Sequence, residues 1–492
     1  MPLIWCPLRQ HKRNNMKHHL KVLLTIIFLL VGLIIQAAQA NESQNAKNKF
    51  TENLLTGVIF ENVRIFNGTA TELSVPSNVL VAGNVIKLIS VETIANPDGM
   101  KIIRIQGGGR TLIPGLIDNH VHLFMTGSSE MVMLNLKTSV ETLNATTIKE
   151  AEKMLLRGFT AVRNVGGPVF DAKKSIDNGK SIGPRIYPSG GMISQTSGHR
   201  DFRMPHDRAH RFGGEITKGE LLGVGFIADG RDEVLTATRE NLRAGASQIK
   251  VMAGGGAASA YDPLDVAQYT LDEMKAAVEA ADDWGTYVTG HAYTPKAVKR
   301  AIEAGVKCIE HGQLLDEPTM QLLGEKGIWL SLQALDEAPP TAKPDVITKK
   351  HTVVEGTDNA FKWAKQHKVK LAWGTDLMFN SAQMTKQNTG IIKLKAWFTP
   401  AEVLKLVTHD NAELLALSGP RNPYQGKLGV VEPDALADLI LVDGDPIANL
   451  NLMADPEKNF PVIMKDGKLY KNHLEEASVK YAAPSAKVTK YK

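Results

Sequence analysis

Cysteine is nearly absent from this chain, which has only Cys6 and Cys308 in 492 residues. Cys6 lies in an N-terminal leader that we expect to be removed, so the mature chain cannot form an internal disulfide. This excludes a small secreted fold held together by disulfides, and the burial of apolar side chains has to supply the stability. The length is sufficient for that, because it accommodates a core of barrel size and at least one smaller unit.

An excess of charge of one sign is also missing once the leader is set aside. The whole chain has 57 basic and 52 acidic residues, which gives a formal net charge of +5. Residues 1–40 contain five of the basic residues and no acid, so the remainder has 52 of each. A formally neutral mature chain gives no reason to expect nucleic acid or an anionic membrane as a partner.

No hydrophobic run reaches the length of a membrane span. The run VLLTIIFLLVGLII has 14 residues, whereas a spanning helix needs about 20. It follows the basic segment KHHLK and precedes an A-x-A site that ends at Ala40, which is the pattern of a secretory signal. We predict a signal peptide over 1–40, a polar linker over 41–55 and a periplasmic or secreted protein without membrane contact after cleavage. An uncleaved anchor is the alternative, and the initiator, Met1 or Met16, is left open.

The rest of the chain divides, by its pattern of apolar and polar residues, into terminal β-rich segments and a long α/β segment. Short alternating runs over 56–112 and 419–476 predict a small β-sandwich domain built from both chain ends, followed by a flexible basic tail over 477–492. Residues 113–418 alternate apolar runs with helices, and the eight runs are GLIDNHVH, GFTAVRNV, PRIYPSG, QIKVMAG, TYVTGHA, KCIEHG, IWLSLQ and VKLAWGTD.

This count and length predict an α/β fold, a (β/α)8 TIM-like barrel. A doubly wound open sheet is the rival. The barrel is favoured because polar residues stand at the C-terminal ends of the runs, where barrel active sites are built. Helix starts are also marked, by the capping-box sequence at Thr270, by Thr294-Pro295 and by Thr399-Pro400-Ala-Glu402.

Two histidines stand two positions apart in LIPGLIDNHVHLF, at the end of the first apolar run. Side chains at positions i and i+2 of a strand share a face, so His120 and His122 can reach one point. Neutral imidazole is a common metal ligand, and the pair therefore indicates a metal site. Two histidines that merely satisfy hydrogen bonds in the core are the alternative.

Four further runs end in residues that suit the same kind of site. The strand ends of a barrel meet at one mouth, so residues far apart in sequence become neighbours there. Together with the first pair they provide four imidazoles and a carboxylate, a set that suits zinc or a similar divalent ion. The four residues are Lys250, His291, His311 and Asp376.

Lys250 is the unusual member of this set, because lysine is rarely buried without a partner. Burial beside cations lowers the pKa of its ammonium group, and the neutral amine can then react with CO₂ to form a carbamate. A carbamate is anionic and has two oxygens, so it can bridge two metal ions as a carboxylate would. A lysine paired with a nearby acid is the alternative.

The order His-x-His, Lys, His, His, Asp resembles the amidohydrolase superfamily, together with segments such as GFTAVRNVGG, SQTSGHRDFR and GKLGVVEPDALADLILV. Within it, the chain is similar to the imidazolonepropionase-related branch with exported Xaa-Pro dipeptidases (prolidases), N-acyl-amino-acid carboxypeptidases and ochratoxin-hydrolysing amidases. The resemblance implies two divalent cations, with Zn²⁺ expected. His120, His122 and Asp376 would hold the more buried one, His291 and His311 the other, and carboxylated Lys250 would bridge them.

The resemblance also implies an activity, the hydrolysis of the amide bond of dipeptides or N-acyl amino acids. Two ions close together lower the pKa of a bridging water and give an attacking hydroxide at neutral pH. Asp376 is the implied catalytic residue, which takes the proton and passes it to the leaving nitrogen. A mononuclear cyclic-amide hydrolase or deaminase of the imidazolonepropionase type is the alternative, and a non-catalytic binding protein on the same scaffold is a third possibility.

The expected partner is a small peptide or N-acyl amino acid with a free carboxylate, so the mouth should offer cationic or hydroxyl donors. The loop GHRDFR supplies His199, Arg200 and Arg203, and later loops supply Tyr261 and Tyr293. The family more often has glycine where Arg200 stands. The preferred side chain is left open, and so is assembly into a homo-oligomer.

Overall fold

The computed structural model describes residues 56–127, 135, 137–259, 261–378 and 381–474. The predicted signal peptide, the two candidate initiators, the linker and the basic tail lie outside these residues. Residues 57–95 and the described residues from 102 onward belong to one compact unit, which holds all the residues of the candidate site. In the described part of the chain, no helix combines the length and apolar composition that crossing a bilayer requires.

Strands from both ends of the described chain share one sheet of eight strands. The pairing of the two terminal segments is direct, because Ile440 lies opposite Ile113 in antiparallel register. The strands are β1 (Thr56–Ile65), β2 (Ser77–Ala82), β3 (Val85–Ser90), β4 (Lys101–Gln106), β5 (Thr111–Pro114), β16 (Leu439–Val442), β17 (Val462–Lys465) and β18 (Lys468–Asn472). Their order in the sheet is β18-β17-β16-β5-β1-β2-β3, with β4 beside β1.

Parallel strands occupy the segment between these terminal blocks. Each of the eight apolar runs predicted from the sequence contains one of them, and all pairings among them are parallel. The strands are β6 (Leu116–Val121), β7 (Phe159–Asn164), β8 (Arg185–Pro188), β9 (Met192–Ser194), β10 (Gly225–Ile227), β11 (Ile249–Met252), β12 (Val288–Ala292), β13 (Cys308–His311), β14 (Trp329–Leu332) and β15 (Lys370–Trp373). They form two sheets, with the orders β6-β7-β8 and β10-β9-β11-β12-β13-β14-β15.

Helices separate most of these strands, and the predicted start signals are in place. Thr270 accepts a hydrogen bond from the backbone N–H of Glu273, whose side chain binds the backbone N–H of Thr270 in return. Thr399 forms the same capping box with Glu402. Such reciprocal bonds satisfy donors that a helix end leaves free.

The described helices are α1 (Leu123–Thr126), α2 (Val140–Leu156), α3 (Phe170–Asp177), α4 (Lys218–Leu221), α5 (Arg231–Ala244), α6 (Leu271–Asp283), α7 (Pro295–Ala304), α8 (Glu317–Lys326), α9 (Pro344–Gln366), α10 (Ser381–Met384), α11 (Gln387–Lys393), α12 (Pro400–Lys405), α13 (Asn411–Ala416) and α14 (Pro456–Asn459). A π-helical turn, Leu406–Asp410, joins α12 to α13.

A buried carboxylate fastens β6 to the segment that follows β15. Asp118 accepts hydrogen bonds from the hydroxyl of Thr375 at 2.6 Å and from its backbone N–H at 3.0 Å. The backbone N–H of Asp376 donates to the carbonyl of His120 at 2.9 Å. The ends of the first and last strands of the predicted barrel are thereby held together, and this brings residues 118–122 beside residues 374–376.

Candidate metal centre

One cavity collects all six predicted ligands. Each lies in a strand of the parallel set or in the residues that follow it, because parallel strands carry their C-terminal ends to the same edge. All six line this cavity, and five of them are at most 4 % exposed. They are His120, His122, Lys250, His291, His311 and Asp376.

The tightest group within the cavity is formed by His120, His122 and Asp376. One ligand atom from each lies within 4.8 Å of the others. Oδ1 of Asp376 is 3.4 Å from Nε2 of His120 and 3.5 Å from Nε2 of His122. The i, i+2 spacing of the histidines has therefore brought both rings to one point, and the carboxylate from the last strand faces them.

The second nitrogen of each imidazole has an oxygen partner. An acceptor at one ring nitrogen requires the N–H there, which leaves the other nitrogen of the neutral ring unprotonated and able to bind a metal. Metal-binding histidines are usually oriented in this manner. The partners are Glu310 for Nδ1 of His120 (2.7 Å), Gln333 for Nδ1 of His311 (2.7 Å), the Gly255 carbonyl for Nε2 of His291 (3.1 Å) and the Gly166 carbonyl for Nδ1 of His122 (3.4 Å).

Two of the predicted ligands have a buried polar atom without a hydrogen-bond partner among the described residues, namely Nζ of Lys250 and Oδ1 of Asp376. Burial lowers the pKa of Lys250 to about 8, although the charges of Glu310 and Asp376 act in the opposite direction. Burial by itself raises the pKa of Asp376, but the neighbouring histidines outweigh this and hold it well below its usual value. Buried polar atoms without a partner, surrounded by four imidazole rings, fit a site built for divalent cations.

The backbone is strained where the last strands deliver their ligands. His311 has a φ of 78° and Asp376 a φ of 52°, both in the left-handed region. A non-glycine residue there costs about 1–3 kcal/mol and is kept where the surrounding structure fixes it. Gly374 allows the backbone before Asp376 to approach that of His120 closely, because a Cβ at position 374 would lie 2.3 Å from the backbone nitrogen of His120.

Behind His120 lies a buried charged network that the sequence analysis missed. Glu310 accepts hydrogen bonds from Arg163 at 2.6 Å and from the hydroxyl of Thr289 at 2.5 Å, besides its contact with His120. Arg163 and Glu310 are both completely buried. Burial raises the pKa of Glu310, but Arg163 outweighs this effect and keeps the carboxylate ionised. The available signal was a charged residue inside each of two apolar strands, TAVRN and CIEH.

Three of the five predicted substrate-binding residues line the same cavity, namely His199, Arg200 and Tyr293. The ring of His199 stacks on that of His291 at a centroid distance of 4.2 Å. Its Nδ1 contacts Asp262 at 2.9 Å.

Arg203 and Tyr261 are not among the residues that line this cavity. Arg203 donates to both carboxylate oxygens of Asp201, at 2.8 and 2.6 Å, and lines a separate surface cavity. Tyr261 is 50 % exposed. The structure therefore does not bring these two residues to the metal centre. Sequence reasoning missed other residues that do line it, namely Met252, Ala257, Ala258, Leu335, Lys350 and Met378.

Comparison with known proteins identifies the family. Residues 111–470 match the amidohydrolase family, a span that includes all six predicted ligands. The chain belongs to the amidohydrolase family. The ochratoxinase of Aspergillus niger is 30% identical to this amidohydrolase over 373 residues, which is 73% of this chain and 75% of the relative.

Solved structures agree with this assignment. A crystal structure of an amidohydrolase has a TM-score of 0.75 and 33% identity, covering 85% of this chain and all of the other. A prolidase in complex with N-methylphosphonate-L-proline has a TM-score of 0.76 and 29% identity, with the same coverage. These relatives support an amidohydrolase that acts on C–N bonds of a small molecule, as the sequence predicted.

Proposed function

We propose that this amidohydrolase holds two divalent cations and cleaves the amide bond of dipeptides or N-acyl amino acids. One observation carries the proposal: six side chains of ligand type line one cavity, and two of them, Lys250 and Asp376, have buried polar atoms without a hydrogen-bond partner among the described residues. The ochratoxinase and prolidase relatives support the choice of an amide substrate.

His120, His122 and Asp376 would hold one cation, and His291 and His311 the other. Lys250 would bridge them after its neutral amine has added CO₂ and lost a proton to give a carbamate. Zn²⁺ is the expected metal, since imidazole and carboxylate ligands suit it. The two cations, when bound, would supply Lewis acidity and lower the pKa of water held between them.

The side chains of the protein supply the proton transfers and the orientation of the substrate. Asp376 takes a proton from the attacking water while the oxygen of that water adds to the amide carbon. The same carboxyl group then gives that proton to the nitrogen, the C–N bond breaks, and the products are a carboxylic acid and an amine. Arg200 and Tyr293, which line the cavity, offer donors to the carboxylate of the substrate.

The fold predictions carry over into this proposal. We infer that the eight strands of the predicted apolar runs, which are β6, β7, β8 and β11 to β15, close into a (β/α)8 barrel over 113–418, and that 56–112 and 419–476 form a separate β-sandwich domain. The bond between Asp376 and His120 supports closure, since it joins the first and last strands of the predicted order. We also infer that residues 1–40 direct export and are removed, which makes the enzyme periplasmic or secreted.

A substrate panel with a lysine variant tests the function. The purified enzyme should hydrolyse members of a panel of Xaa-Pro, Xaa-Arg, Xaa-Lys and N-acyl-amino-acid compounds. Lys250→Ala should abolish this activity, and acetate or formate should restore part of it. Lys362→Ala, on the exposed side of α9, is the control and should behave as the wild type. Full turnover in Lys250→Ala would contradict a bridging lysine and favour a mononuclear cyclic-amide hydrolase.

A further inference from the structure

A second cavity, of about 270 Å³, lies directly beside the metal centre. It shares part of its wall with the cavity that holds the predicted ligands, and Asp376 belongs to that shared wall. A molecule whose reacting bond lies beside Asp376 in the first cavity therefore has the second cavity as its immediate neighbour. The shared residues are Ala257, Ala258, Leu335, Lys350, Asp376 and Met378.

Small and apolar side chains form much of the wall of the second cavity. Binding sites for small molecules are usually mostly apolar with a few polar groups that fix the orientation of the ligand. Charged residues also line it, among them Asp336, Lys386 and Lys393. Lys393 pairs with Asp336 at 2.5 Å, so these two charges largely satisfy each other. The apolar lining consists of Ala257, Ala258, Ala334, Leu335, Ala338, Pro339, Val346, Trp373, Leu377 and Met378.

Among the residues that both cavities share, Lys350 is the one with a cationic group, which can bind an anion. It lies on α9, is only partly exposed, and makes no hydrogen bond or ion pair with any of the described residues. Its neighbour Lys349 differs, because it donates to the carbonyls of Ser259 and Asp262 at 2.8 and 2.9 Å. Burial lowers the pKa of Lys350, although the nearby charges of Asp376 and Asp336 act against this. The ammonium group of Lys350 is therefore available to an anion that enters either cavity.

The position of Asp376 indicates which part of a substrate enters the second cavity. In the proposed function, which this inference rests on, Asp376 protonates the leaving nitrogen. The amino acid that carries this nitrogen therefore lies on the Asp376 side of the metal centre, next to the second cavity. Its carboxylate is separated from the nitrogen by a single carbon atom, and its side chain branches from that same carbon.

We propose that the second cavity holds the apolar side chain of the released amino acid and that Lys350 joins Arg200 and Tyr293, which line the same cavity, in binding the carboxylate of that amino acid. Preferred substrates are then N-acyl amino acids and dipeptides whose C-terminal residue is large and apolar, such as methionine, leucine or phenylalanine. Lys350 and the second cavity together determine specificity, and the reaction itself takes place at the metal centre.

The test compares N-acetyl-L-methionine with its neutral amide, N-acetyl-L-methioninamide, in wild type, Lys350→Met and Lys350→Arg. Loss of a charge-assisted hydrogen bond corresponds to about 10- to 100-fold in binding. We expect Lys350→Met to raise KM for the carboxylate substrate by that factor, to leave the amide nearly unaffected, and to leave kcat nearly unchanged. Lys350→Arg should retain most of the preference for the carboxylate. Lys362→Met, exposed on the same helix, is the matched control.

A second variant tests the cavity independently of the charge. Ala334→Phe narrows the second cavity and should shift the ratio of kcat/KM from N-acetyl-L-phenylalanine toward N-acetyl-L-alanine. The inference alone is overturned if the wild type is active while Lys350→Met keeps the wild-type preference for the carboxylate, or if Ala334→Phe keeps the wild-type ratio. A wild-type preference for cationic C-terminal residues would also overturn it. Absence of all amide hydrolysis in the wild type would instead refute the proposed function.

Discussion

Replacing Glu310 with glutamine removes a buried negative charge that Arg163 and His120 share, while the shape of the side chain is almost kept. Arg163 retains only uncharged partners, which are the carbonyl of Asn119 at 2.8 Å, the hydroxyl of Tyr287 at 3.3 Å and the Cys308 sulfur at 3.8 Å. Its guanidinium group then remains completely buried without a counter-ion. His120 keeps a neutral acceptor at most, so its ring is less firmly oriented toward Asp376.

The magnitudes of the two effects follow from these contacts. Removing one partner of a buried ion pair costs about 3–5 kcal/mol of stability. Loss of the carboxylate behind a metal-binding histidine lowers metal affinity by about 10- to 100-fold. The double variant Arg163→Met with Glu310→Gln removes the orphaned charge as well. We therefore expect the double variant to regain most of the stability and to keep the reduced affinity.

Thermal unfolding of the metal-free chain measures the stability, and competition with a chromophoric chelator measures the affinity for zinc. Glu310→Gln should lower both quantities, and the double variant should lower only the affinity. The reasoning is refuted if Glu310→Gln binds zinc as tightly as the wild type. It is also refuted if affinity returns together with stability in the double variant, because Glu310 would then act only through the fold.

Gly374→Ala should disrupt metal binding, because the added Cβ would lie 2.3 Å from the backbone nitrogen of His120. Gly254→Ala should be tolerated, because the nearest contact of its added Cβ is at 3.4 Å. Competition with a chelator measures the zinc affinity of both variants. Thr270→Ala should destabilise the fold by about 1 kcal/mol through loss of the helix cap, as measured by urea unfolding, and an altered zinc affinity would contradict a purely local role. Dialysis of the wild type against a chelator should abolish amide hydrolysis and added zinc should restore it; activity that survives complete metal removal would contradict metal dependence.

Most of the parallel strands were predictable from the sequence, because the signals that mark a strand are local. All eight apolar runs between 113 and 418 contain strands, and the capping boxes at Thr270 and Thr399 form as their sequences indicate. The short strands β9 and β10 were not predicted. Each has three residues, too few to show a period, and they are positioned by pairing with each other and, for β9, with β11.

That the six residues gather in one cavity was predictable for a geometric reason, since parallel strands bring their ends to one edge. The side chains that surround these six residues were not predictable, because they depend on which side chains meet across strands. Glu310 and Arg163 are 147 positions apart, and nothing local connects them. We predicted Arg203 as a substrate-binding residue because of its position in the loop, but its guanidinium group forms an ion pair with Asp201, two residues earlier. Lys350 lies on a helix and has no motif around it.

The central claim is that one cavity holds two divalent cations bridged by Lys250, and the metal content of the active enzyme tests it most directly. The enzyme is purified without chelator in the presence of zinc and bicarbonate, and metal per chain is determined by elemental analysis alongside amide hydrolysis. We predict two divalent cations per chain at full activity, and fewer in Lys250→Ala. Full activity with one cation per chain, or with none, would contradict the account.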